Sequence, residues 1–100
     1  MLDINGYPLQ ASLNSLEYYY ISKGTLQGFL DLLKGTWNYS DSGGYKLQDN
    51  KLYLHTGGWS GNEEVITYLK RNFIFWSMCW RSQHTGGHYE FDLSAFRDSI

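Results

Sequence analysis

The tetrapeptide His-Thr-Gly-Gly occurs twice, at positions 55–58 and 84–87, and around these two copies the chain gathers most of the side chains that could do chemistry. Imidazoles bind and move protons near neutral pH, and paired glycines let a ligand approach backbone N–H groups closely. The first copy continues as Trp59-Ser60-Gly61-Asn62-Glu63-Glu64, from a predicted strand through a glycine-rich turn into a predicted helix. Free N–H groups at such a helix start receive phosphate, carboxylate or the polar edge of a base, and Trp59 offers a stacking face beside them. The candidate ligand-binding residues are therefore His55, Thr56, Gly57, Gly58, Trp59, Ser60, Asn62 and Glu63, with Arg81, His84, Gly86, Gly87, His88 and Tyr89 around the second copy. If the two strands run the same way, both turns lie at one edge of the sheet and His55, Trp59, His84 and His88 line one cleft. The plainer alternative is that Gly57 and Gly58 make a tight turn and Ser60 caps a helix.

Other chemistries are less well supported. No G-K-[ST] follows the glycines, and the G-x-G-x-x-G spacing of a dinucleotide fingerprint is absent. His84-x-x-x-His88 has the spacing of a zinc half-site, but a hairpin loop separates the two and neither His55 nor Cys79 has a reason to converge on them, so no metal is expected. A histidine pair with Arg81 could act as acid and base on a phosphodiester. Cys79 is expected to pack as a small hydrophobe. No catalytic residue and no cofactor are assigned, and the reading is of a binding protein, not an enzyme.

The elements that must hold these residues follow from periodicity. Asn14 and Glu17 resemble a capping box ahead of Tyr19 and Tyr20, in a helix running towards Gly24. Thr25 can cap a second helix with the stripe Leu26, Phe29, Leu30 and Leu33, ended by Gly35. The period then changes to two over 37–40, 45–48 and 51–55, which predicts a three-strand meander. Ser60 and Glu63 form a second capping box before Val65, Ile66 and Leu69. Residues 73–81 read as a strand apolar on both faces, with Trp76, Met78 and Trp80 on one of them as a candidate interface, and 88–93 as its hairpin partner. The fold expected is α+β, an antiparallel sheet of about five strands with two or three short helices packed on it. Covering a strand apolar on both faces calls for a second copy, so a homodimer is expected.

Composition bounds the partners. A chain of 100 residues fits one domain, with an N-terminal arm over about residues 1–11. Aromatic residues reach 18%, more than a small core needs, which points to surface rings that hold a ligand or partner. A net charge of −2 supplies no basic field, so general nucleic-acid binding is not expected. No apolar run approaches the roughly 20 residues of a membrane span, and a cytoplasmic location is expected.

The string His55-Thr56-Gly57-Gly58-Trp59-Ser60-Gly61-Asn62-Glu63-Glu64, followed by Asn72-Phe73, Trp76, Trp80 and Gly86-Gly87-His88-Tyr89-Glu90-Phe91, resembles a small uncharacterised family carried by bacteriophages and prophages, over residues 51–93. The resemblance implies an accessory, counter-defence protein in the host cytoplasm. Such proteins either sequester a small signalling nucleotide or dock on a host defence protein as anti-CRISPR proteins do. The partner expected is thus a small, nucleotide-like molecule or a host defence protein, and a small His-dependent phosphodiesterase is the third reading.

Overall fold

The computed structural model describes residues 2–4, 6–21, 26–38, 44–84 and 86–97. The architecture is α+β: helices α1 (Gln10–Tyr18) and α2 (Leu26–Thr36), strands β1 (Tyr45–Gln48) and β2 (Lys51–His55), helices α3 (Ser60–Arg71) and α4 (Phe73–Cys79), strands β3 (Trp80–His84) and β4 (His88–Asp92), and a short α5 (Ser94–Arg97). The strands form one four-stranded antiparallel sheet in the order β1-β2-β4-β3. Four strands replace the expected five or so, for two reasons. Trp37 continues α2, its N–H donating to the Leu33 and Lys34 carbonyls, so the first strand of the meander does not start there, and positions 39–43 lie outside the described residues. Positions 73–81 divide between α4 and β3.

The helices begin and end where packing requires. Leu13 and Leu16 are the buried stripe of α1, and seating Leu13 takes a turn that starts at Gln10. Asn14 is therefore inside the helix, where its carbonyl accepts from Gln10 one turn earlier, and not a cap. Glu17 instead pairs with Arg71 of α3 at 3.6 Å. In α2 the stripe Leu26, Phe29, Leu30 and Leu33 is buried as its spacing predicts. The helix runs through Gly35 to Thr36, whose hydroxyl donates to the Leu32 carbonyl, so Gly35 is not a left-handed terminator. Gly24 and the predicted cap Thr25 lie outside the described residues.

Val65, Ile66 and Leu69 bury the inner face of α3. Its cap differs from the expected one: the extended residue before the helix is Trp59, whose carbonyl accepts the Glu63 N–H, and no side chain caps the first turn. Ser60 is an exposed first-turn residue. Ser60→Ala should accordingly change stability by less than about 0.5 kcal/mol in a urea melt, where loss of a true cap costs about 1 kcal/mol.

Asn72 ends α3 and starts α4. Its Oδ1 accepts the Phe75 N–H, and its Nδ2 donates to the carbonyls of Leu16 and Tyr19 at the end of α1. The strand expected over 73–81 becomes a helix because this cap sets the chain turning, after which Phe75 and Cys79 face the core one turn apart. Burial, with a smaller contribution from the Asp92 carboxylate, pushes the Cys79 thiol up to about 12, which leaves it an inert packing group. Since no strand apolar on both faces exists here, the reason for expecting self-association no longer applies.

The β1–β2 turn is Asp49-Asn50, both with positive φ (52° and 65°), the signature of a two-residue type I′ hairpin. Leu52 and Leu54 of β2 and Phe91 of β4 point to the helical side, where Phe75 bridges Phe91 and Phe29 at 4.9 Å ring separations. The alternate residues face solvent. After β4, the Ser94 hydroxyl and amide donate to the Asp92 carboxylate. The hydroxyl contact is the main reason that carboxyl stays below its usual range, so it stabilises the fold above that range and ceases to do so as the pH falls through the lowered value.

Candidate functional site

Sheet register builds the site. β2 and β3 are both antiparallel to β4, so they run in the same direction and the two His-Thr-Gly-Gly segments end at the same edge of the sheet. His55 is opposite His88, and His88 is opposite His84. All three histidines of the chain therefore stand in one row across β2, β4 and β3, on the face away from the helices. The His55 and His88 rings stack with centroids 4.0 Å apart, and their Nδ1 atoms are 3.1 Å apart. One Nδ1 must carry a proton and the other must be bare for this contact to be a hydrogen bond. The His84 Nε2 lies 3.1 Å from the Ser82 hydroxyl.

The row lines a cavity of about 400 Å³. Lys46, Tyr53 and Glu90 complete its polar wall, and Leu54 and Tyr89, whose side chains turn to the helical face, border it between these residues. The Tyr89 phenol is pushed up, first by burial and then by the Glu63 carboxylate, so it keeps its proton. Lys46, Tyr53 and Glu90 were not among the residues singled out from sequence. They could have been: the Asp49-Asn50 turn sets Lys46 opposite Tyr53, and period two puts both on the His55 face.

The glycine turns brace the row. Thr56 donates its N–H to the Gly87 carbonyl at 3.0 Å, so one copy of the repeated tetrapeptide bonds directly to the other. Gly57, Gly58, Gly86 and Gly87 all have positive φ, which explains why both copies end in two glycines. Gly57 and Gly58 are open to solvent, Gly86 lies beside the His88 ring, and Gly87 sits on the buried Thr56 side chain.

The remaining sequence candidates lie elsewhere. Trp59 does not line the cavity; its ring packs against Tyr7 of the N-terminal arm at 4.8 Å, close to Gly6 and Gly61. Asn62 is buried and clamps the Asn38 backbone, accepting its N–H at 2.8 Å and donating to its carbonyl at 2.9 Å. Ser60 and Glu63 are exposed on the first turn of α3. Arg81, at the bulge in β3, acts on Asp92 at the other end of the sheet. Trp76, expected on an open strand face, is half-buried against Phe91 and Trp80. Met78 and Trp80 are exposed, at 52% and 41%, and Phe73 more so at 78%.

Among the described residues no three His, Cys, Asp or Glu side chains are grouped so as to hold a metal ion. Nor is any helix among them long and apolar enough to cross a membrane. The fold and site thus define an α+β domain with a histidine row on the open face of an antiparallel sheet. No known protein family, curated protein or solved structure matches the chain.

Proposed function

We propose that this protein is a non-enzymatic binding module that holds a small polar, nucleotide-like ligand on the open face of its sheet. The observation that carries the reading is the convergence of His55, His84 and His88 on one cavity that also contains Lys46 and the Tyr53 ring. Imidazoles and an amine suit the oxygens of a phosphate, and a tyrosine face suits a base. A cavity of about 400 Å³ is the size of a small-molecule site. The His55–His88 contact argues against catalysis by this pair as acid and base, since two rings bonded to each other leave no room for a substrate between them.

The biological setting proposed, counter-defence in the host cytoplasm by sequestering a signalling nucleotide, draws on the resemblance of residues 51–93 to phage proteins. A second reading, a protein-protein inhibitor of a host defence complex, draws on the exposure of Phe73, Met78 and Trp80 on and beside α4.

Calorimetry and tyrosine fluorescence against a panel of cyclic and linear nucleotides test the first reading. His88→Ala should abolish measurable binding, and Tyr53→Ala should weaken it by ~1–3 kcal/mol if the ring carries a base. Trp59→Ala should leave the affinity unchanged, because that ring anchors the arm. Binding that survives His88→Ala but is lost in Trp59→Ala would move the site to the helix start.

A further inference from the structure

The charges around the cavity constrain how it takes an anion. Its lining has one fixed cation, Lys46 on β1, and one fixed anion, Glu90 on β4. These cancel. Tyr53 on β2 and Tyr89 on β4 complete the lining, and the Tyr89 phenol is held above its usual range by burial and then by the Glu63 carboxylate of α3. The positive charge available to a ligand therefore comes from protons on His55, His84 and His88. The 3.1 Å contact between the His55 and His88 Nδ1 atoms requires one bare nitrogen. Charging both rings sets two cations face to face at a 4.0 Å centroid separation, a repulsion that a counter-ion relieves. A phosphate oxygen over the row is such a counter-ion, accepting a hydrogen bond from each imidazolium.

We infer that the histidine row binds the phosphate of a nucleotide with uptake of protons, so that affinity rises as the pH falls through the range in which imidazoles titrate. This rests on the reading of the cavity as a nucleotide site. It makes the phosphate, more than the base, the group recognised, and it makes the protein release its ligand under alkaline conditions.

The test is calorimetric titration of the full chain with 5′-AMP and 3′,5′-cyclic AMP, with adenosine as the uncharged control. Each is measured at about pH 6 and about pH 8, in buffers of different ionisation enthalpy so that proton uptake can be read directly. His88→Gln keeps a hydrogen-bonding side chain without a titratable charge, and His55→Gln is the second variant in case the first does not fold. Because the variants share the ligand's own titration, the difference from wild type reports the histidines. We expect uptake of about one proton per nucleotide and about tenfold tighter binding at the lower pH, both lost in the variants, with adenosine at least about tenfold weaker than AMP. Nucleotide binding with no uptake beyond that of the variants, or adenosine bound as well as AMP, would overturn the inference and leave the site reading intact. If no nucleotide binds at either pH, the proposed function itself falls, and the inference with it.

Discussion

Asn72→Ala is expected to destabilise the protein by about 3–5 kcal/mol, because it breaks a buried hydrogen-bond network instead of one exposed contact. The side chain is only 3% exposed and joins three elements. Without it the Phe75 N–H loses its acceptor, and the Leu16 and Tyr19 carbonyls lose donors at 2.8 and 2.9 Å. Water cannot easily replace a buried donor, and each orphaned group costs ~1–3 kcal/mol. Asn72→Asp is a stringent control: it keeps the acceptor for Phe75 but turns a carboxylate oxygen towards two carbonyls, so it should be no milder. Urea unfolding with an unchanged slope would read the loss as stability alone. A loss below ~1 kcal/mol in Asn72→Ala would mean that this residue does not hold α4 to α1.

Gly87→Ala should cost about 2–4 kcal/mol, the sum of a left-handed backbone and an overpacked contact. At φ +80° a Cβ is unfavourable in itself, and this one would meet the buried Thr56 hydroxyl and its Cβ. Gly57 separates the two contributions. Its φ is +65° but nothing lies within 4 Å of an added Cβ, so Gly57→Ala should cost only ~1–2 kcal/mol. Gly87 also accepts the Thr56 N–H and precedes His88, so Gly87→Ala should disturb the histidine row and weaken nucleotide binding even in the folded fraction. Equal melts for the two variants would show that the contact with Thr56 has no energetic role.

The parts of this fold that could be read from sequence are those whose signals are local. Leu26, Phe29, Leu30 and Leu33 repeat at one helical period, and Asp49-Asn50 is a two-residue turn between alternating segments, so α2 and the first hairpin need no distant information. The meeting of the two His-Thr-Gly-Gly turns at one sheet edge followed from sequence only on the condition that their strands run the same way, which their shared antiparallel partner β4 supplies. Residues 73–79 were not, since every side chain there except Ser77 is apolar, and a uniformly apolar run fits a period of two as well as one of 3.6. What decides it is Asn72, whose partners Leu16 and Tyr19 lie more than fifty residues away in sequence. Trp59 was misplaced for the same reason. Its neighbours Tyr7 and Gly6 belong to an arm whose path depends on tertiary contacts. Asn62 looked like a polar ligand group because its clamp on Asn38 spans α3 and the end of α2.

The working surface we propose is the open sheet face, not the start of α3 or the apolar side chains beside α4. Two-dimensional NMR of labelled protein, recording backbone amides together with the histidine ring signals, tests it most directly during a titration with 5′-AMP. Shifts are expected at Lys46, Tyr53, His55, His84, His88 and Glu90, with the three imidazoles moving most, and no change at Trp59 or Phe73. Shifts confined to residues 57–62 or to the Phe73, Met78 and Trp80 surface would contradict it, as would a spectrum that the nucleotide leaves unchanged.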